Sequence, residues 1–350
     1  MKKEFGIFLL LVLLCAVTAI INPRFLSPTN LTNMANIIGM FGIFSIGLGL
    51  VIITGGIDLS VGSMFALCGV LLAMALTEWH WPWPLAAAFV IVVPMVLGCV
   101  HGLLITRMKI QPFIITLCGL LIYRGMARFI ANDNTQGFGS SEGFETLRTF
   151  AKGKLGENIP VEWLNHVWPW LHDKTTHLIE SAWLSPIMDM PMPFAILIVL
   201  SIVMWFVLHR SIYGRYLLAV GRNEEAARFS GINTRLVIGS SYVVAGLLTG
   251  ISGILFAFYT NSVSPSNHGN FYELYGIAAA VLGGCSLRGG EGSVIGILIG
   301  TALLQVLQNL VNLLGIPSSL NFAVMGTVVL IGVLADQIFK NRAAKKSVRH

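Results

Sequence analysis

An all-α polytopic membrane protein, crossing the bilayer about ten times, is the fold class this sequence predicts, and three observations carry the prediction. Apolar residues make up 55% of the 350 positions and charged residues only 11%. The mean hydropathy is +0.78, a balance that a water-soluble core of this size does not use. Runs of about 20 apolar residues recur along nearly the whole chain, and each, rising about 1.5 Å per residue as a helix, crosses about 30 Å of hydrocarbon. Helices follow because backbone in lipid must satisfy its own hydrogen bonds.

The spans fall at residues 5–21, 34–54, 59–77, 85–106, 112–131, 192–209, 236–259, 274–285, 293–314 and 320–338. The first has the outline of a secretory signal, but its apolar stretch is long and further spans follow at once, so an uncleaved helix is expected. The eighth is short and glycine-rich. Lys and Arg near span ends set the orientation. Lys2 and Lys3, the "TRMKIQ" loop with Arg107 and Lys109, the 210–235 loop with five arginines, and the basic tail at 339–350 all fall on one side. That side, with both termini, is predicted to be cytoplasmic. The opposite side receives Trp79, Trp81 and Trp83, which suit an interfacial aromatic belt, and a long insertion at 132–190. The insertion carries eight acidic residues, and Trp163, Trp168, Trp170 and Trp183 predict a helix within it that lies on membrane lipid.

Several chemistries are excluded. The net charge of +6 is spread over short loops and the tail, so there is no basic stripe for nucleic acid. Cys15, Cys68, Cys99, Cys118 and Cys285 lie inside apolar runs or at their ends, with neither a disulfide framework nor a zinc spacing. His166, His172 and His177, near Glu162 and Asp173, match no metal-binding pattern and read as surface histidines. No phosphate-cradling G-x-x-x-x-G-K-[ST] loop exists; in "AKGKLGEN" leucine follows the lysine. The chain therefore does not hydrolyse ATP by itself, binds no cofactor, and lacks the G-x-S-x-G and H-E-x-x-H signatures of enzymes. Ionisable groups are scarce in the spans: Asp58 and Glu291 lie at span ends and His101 close to one. That scarcity weighs against proton or sodium coupling, although carbonyls and hydroxyls can hold sodium, so an ion-coupled or facilitative transporter acting alone stays open.

Four features call for function. "NEEAARFSG" reads as a short helix in the 210–235 loop, with Asn223 as its N-cap, Glu224 and Glu225 at its positive end, Arg228 in the last turn and Gly231 ending it. It is either a handle that transmits a push or a well-capped connector. "GGIDLSVGS" places Asp58 between apolar runs, where Gly55 and Gly56 supply a turn and Asp58 or Ser60 caps the next helix. A role as an ion or solute ligand is the alternative. "GGCSLRGGEGS" has the same design, a glycine pair, a polar bend and Gly-Ser opening a helix, so two similar bends and an Asp58 to Arg288 pairing are expected on the cytoplasmic side. Its glycines, Gly283, Gly284, Gly289 and Gly290, serve close helix packing or a broken helix near Ser286. Arg124 and Arg128 share one face at a four-residue spacing, near the outer end of their span; snorkelling, pairing and contact with a polar solute are open to them.

These strings resemble one family. "GRNEEAARFSGINTR" looks like the cytoplasmic coupling loop of permease subunits of bacterial ABC importers of the ribose, galactose, xylose and autoinducer type. "GGIDLSVGS", "KIQPFIITLCGLLIYRG" and "AVLGGCSLRGGEGSVIGILIGTALLQ" are similar to its other motifs, in the right order, outside 132–190. The resemblance implies a single type II-like permease domain over the chain, in the bacterial inner membrane, moving a sugar or sugar-like solute by alternating access. It implies a second permease copy or a sister permease, two cytoplasmic ATP-binding subunits that hold ATP and Mg, and a periplasmic solute-binding protein. Carried onto this chain, Arg222, Asn223, Glu224, Glu225, Ala226, Ala227 and Gly231 become the ATPase contacts. The gate framework becomes Gly55, Gly56, Asp58, Ser60, Gly283, Gly284, Ser286, Arg288, Gly289 and Gly290, with Arg124 a solute-facing candidate. The 132–190 insertion is long for the family.

Overall fold

The computed structural model describes residues 2–139, 142–158 and 188–317, with scattered positions between 320 and 330. The tryptophan-rich helix expected near 160–184, with His166, His172 and His177, and the basic tail at 339–350 lie outside the described residues, as does most of the expected tenth span. The helices are α1 (Lys2–Ile21), α2 (Pro28–Ile53), α3 (Val61–Thr77), α4 (Trp83–Met108), α5 (Pro112–Ile130), α6 (Glu145–Lys152) and α7 (Leu155–Asn158). They continue as α8 (Met192–Arg210), α9 (Ile212–Arg222), α10 (Glu224–Phe229), α11 (Thr234–Thr260), α12 (Tyr272–Leu282) and α13 (Val294–Leu313). Two short strands, β1 (Gln136–Gly137) and β2 (Ser262–Val263), pair antiparallel.

Among the described residues, seven helices are long and apolar enough to cross a membrane: α1, α2, α4, α5, α8, α11 and α13. The spans expected at 59–77 and 274–285 are instead the part-length helices α3, with 17 residues, and α12, with 11. Helix α3 is preceded by irregular, largely buried chain at 56–60, and α12 by a run of turns at 265–271. Helix starts follow local chemistry. Ser27 accepts from the Asn30 amide at 3.4 Å ahead of Pro28, and Ser293 accepts from the Gly296 amide at 3.4 Å to open α13.

The central element is α2, buried from Gly39 to Ile53 and packed by α8, α11, α12 and α13. Its Phe41 and Phe44 meet Phe65, Phe256 and Tyr272 in one aromatic cluster; the Phe44 and Phe65 ring centroids are 5.1 Å apart, edge to face. At one end of the bundle lie α9, α10 and the α1 N-terminus, where Glu4 hydrogen-bonds Ser293 beside His209. We call this the coupling-loop end. At the other end β1 pairs with β2, Trp79 packs on Trp81, and Asn30 and Asn309 exchange amide hydrogen bonds at 3.1 and 2.7 Å.

Candidate functional site

After α2 ends at the coupling-loop end, residues 54–60 do not make a surface turn. They run back into the bundle. The Ile57 carbonyl accepts from Thr116 at 3.3 Å and from the Tyr242 hydroxyl at 3.4 Å, and the Gly62 carbonyl accepts from Arg124 at 3.4 Å. Thr116 and Arg124 are eight residues apart on α5, about 12 Å along its axis, so the chain climbs by about that distance before α3 is under way. Extended backbone at such depth is tolerated only where protein satisfies its polar groups, which these side chains do.

Asp58 lies on this climb and is 2% exposed. Its Oδ1 accepts from the Ser60 amide at 2.9 Å and the Ser60 hydroxyl at 2.6 Å. Ser60 occupies the N-cap position of α3, but its hydroxyl donates to Asp58 and makes no cap hydrogen bond. The expected cap is therefore a closed Asp58–Ser60 turn. Arg288 is exposed on the far bend while Asp58 is buried, and the two do not pair. Near Asp58, buried His101 of α4 shares a 2.8 Å hydrogen bond with the Tyr123 hydroxyl of α5.

A second segment, 261–271, made of β2 and a run of turns, leads from the β-pair end and meets the first. A Cβ on Gly62 would collide with the Glu273 carboxylate and the Gly269 carbonyl, so only glycine lets these segments touch. Glu273, 6% exposed, sits in the first turn of α12 against the first turn of α3. Two half-helix N-termini thus abut inside the bundle, and a carboxylate lies at each: Asp58 before α3 and Glu273 in α12. Arg124 ties the junction, donating to the carbonyls of His268 at 2.7 Å and Pro265 at 3.2 Å as well as to Gly62. Arg128, by contrast, turns out to Asp133 at 2.6 Å, and its hydrogen bonds hold the Asp133 carboxyl below its ordinary pKa. Among the described residues, His101 Nδ1, His268 Nε2 and Glu273 Oε2 are buried without a hydrogen-bond partner.

From this junction α3 runs toward β1 and β2, while α12 runs back to the coupling-loop end. There the second glycine bend closes: Ser286 receives Gly289 N–H at 2.8 Å and donates its own N–H to the Glu291 carbonyl at 3.1 Å. Gly284, Gly289 and Gly290 have φ of +92°, +81° and +75°. Gly283 packs against Gly296 at the start of α13. The two bends touch: Gly290 donates to the Ile53 carbonyl at 2.8 Å, and Gly289 lies beside Gly55, whose own φ is +84°. Gly56 lies beside the Tyr242 hydroxyl.

Helices α9 and α10 lie at the same cluster. Asn223 accepts from the Ala226 amide at 2.9 Å, α10 spans Glu224–Phe229, Glu224 accepts from Thr234 at 3.1 Å, and Gly231 turns the chain at φ +86°. Gly221, one residue before Arg222 in α9, is in backbone contact with Ile53, Gly289 and Gly290. A cavity of about 470 Å³ reaches from Thr54, Gly55 and Gly56 to Glu224, Glu225 and Arg228. Sequence reasoning missed Gly221, Tyr123, Tyr242, His268, Glu273 and Phe229. Glu273 had a signal of the same kind as Asp58, a lone carboxylate at the head of an apolar run; Phe229, 85% exposed, had only its place in the loop.

Discontinuous helices meeting inside an apolar bundle, with a capped helix outside it, define a polytopic membrane protein of the solute-transporting class. The chain belongs to the family described as branched-chain amino acid transport system / permease component, whose model matches residues 30–334. It is 34% identical over 336 residues to the ribose import permease protein RbsC of Bacillus subtilis, covering 96% of this chain and 93% of that one. It is 32% identical over 341 residues to the probable ABC transporter permease protein y4mJ of Sinorhizobium fredii, covering 97% and 91%. With the xylose transport system permease protein XylH of Escherichia coli K12 it shares 30% identity, covering 91% and 87%. No solved structure matches.

Proposed function

We propose that this chain is the membrane subunit of an ATP-driven importer that carries a neutral sugar, of the ribose or xylose kind, into the bacterial cytoplasm. The family description names branched-chain amino acids, whereas the relatives above are named for ribose and xylose; the sugar assignment rests on those relatives. One observation carries the mechanism: the backbone contact of Gly221 with Ile53, Gly289 and Gly290, which joins α9, the helix leading into α10, to the end of α2 and the second bend. A rigid push on α10 by a motor subunit reaches the ends of α2 and α12 through packed backbone, with no side chain to absorb it. ATP and Mg belong to two such cytoplasmic subunits, and a soluble binding protein delivers solute at the β-pair end. On this reading the coupling-loop end is cytoplasmic, as are both termini, and about ten helical segments lie in the membrane, α3 and α12 among them as part-length helices. Arg222, Asn223, Glu224, Glu225, Ala226, Ala227 and Gly231 contact the motor, while the two glycine bends form the inner gate.

Uptake measured in proteoliposomes tests this. Ribose or xylose entry should require the motor subunit, the binding protein and ATP, and should survive an uncoupler. Entry into vesicles that contain this chain alone would overturn the proposal and favour the ion-coupled or facilitative reading.

A further inference from the structure

The geometry points to a binding site for an anionic phospholipid between α4 and α11, at the coupling-loop end. The two helices pack backbone to backbone there: a Cβ on Gly102 would lie 2.7 Å from the Gly239 Cα. So close an approach leaves a furrow alongside, a groove of about 630 Å³ walled by residues such as Cys99, Leu103 and Val243. Its hydroxyls are already engaged. Thr106 donates to the Gly102 carbonyl at 2.7 Å, and Ser240 to the Val237 carbonyl at 3.0 Å while meeting the Tyr213 hydroxyl at 2.8 Å. Leu103 is 44% exposed and Leu236 68% exposed, so this wall faces outward from the bundle.

At one end the groove carries two guanidiniums, Arg107 in the last turn of α4 and Arg235 in the first turn of α11. Both are exposed, and among the described residues no carboxylate pairs with either. Arg235 also stands in the first turn of a 27-residue helix, where the dipole favours an anion. An apolar channel in the membrane-facing wall that ends in two unpaired cations fits an acyl chain with a phosphate between the guanidiniums. The occupant is a lipid rather than a soluble anion because the apolar wall continues from the charged end.

Native mass spectrometry of the full-length protein, titrated with phosphatidylglycerol, tests the site. Phosphatidylcholine with the same acyl chains serves as the neutral control and glycerol phosphate as the soluble one. The wild type should prefer phosphatidylglycerol, and R107Q/R235Q should bind it at least about tenfold more weakly and lose the preference. R107K/R235K should keep the preference, separating loss of charge from loss of fold, and R210Q/R215Q, outside the groove, should behave as wild type. Equal phosphatidylglycerol binding by wild type and R107Q/R235Q would overturn the proposal. So would displacement of the lipid by glycerol phosphate alone, which marks a soluble-anion site, or loss of a dimer mass in R107Q/R235Q with lipid binding unchanged, which marks a contact between copies.

Discussion

The amide of Gly290 donates to the carbonyl of Ile53 across 2.8 Å, joining the bend before α13 to the last turn of α2. Gly221 packs against both groups, and any Cβ there would press into them. Gly221→Ala should therefore destabilise the protein by about 1–3 kcal/mol, the usual cost of forcing a methyl into packed structure, and should weaken ATP-linked uptake. Melting temperature and uptake per ATP check both parts. Gly231→Ala is the contrast: the space around it is open, so its cost comes only from the positive φ, about 1 kcal/mol.

Asp58 separates two explanations for a buried carboxylate. If its role is to close the turn onto Ser60, Asp58→Asn keeps an oxygen acceptor and should lose far less stability than Asp58→Ala, which strands the Ser60 amide and hydroxyl at about 1–3 kcal/mol. Equal losses in thermal unfolding would show that the charge itself matters.

Tyr123 and His101 form a buried pair at 2.8 Å between α5 and α4. Tyr123→Phe leaves the His101 nitrogen unpaired and should cost about 1–3 kcal/mol. Removing both polar partners, as Tyr123→Phe with His101→Phe, should recover part of that loss. A double-mutant cycle on melting temperatures measures the difference.

Arg124 reaches three carbonyls, Gly62 at the head of α3 and Pro265 and His268 in the turns before α12. Arg124→Gln should loosen the junction, seen as faster hydrogen exchange at 54–62 and 261–271. Arg124→Lys should rescue only in part, because an ammonium lacks the planar fork that spans separate acceptors. Unchanged exchange in Arg124→Gln would free the residue for the solute-facing role.

Phe229 projects from α10, with Arg228 over its ring at 5.8 Å. Phe229→Ser should leave the stability within about 0.5 kcal/mol of wild type, as an exposed change does, and yet reduce co-purification with a motor subunit. Retained co-purification would place the contact elsewhere on the helix.

The long spans and the short capped helix α10 were legible in the sequence because their causes are local: apolar runs of sufficient length, and Asn223 followed by two glutamates. The climb of residues 54–60 was not. Its hydrogen bonds come from Thr116, 59 residues away, and from Tyr242, 185 residues away, and no local pattern displays such partners. A 17-residue apolar helix also looks like a short span when the buried depth of its first residue is unknown. The Asp58 to Arg288 pairing failed for a related reason. The two bends do meet, but through the backbones of Gly55, Gly289 and Gly290, while the Arg288 side chain turns out to solvent.

The abutting half-helices have an electrical consequence. Each N-terminus is equivalent to about half a positive charge, so the two together with Arg124 bring about two positive charges to the junction. In their ionised forms Asp58 and Glu273 offset these with two negative charges. An uncharged solute crossing beside such a neutral knot does no work against the membrane voltage. Collapsing the potential at constant ATP should leave the initial rate of uptake unchanged, and the importer should run alike in a well-energised cell and in a depolarised one.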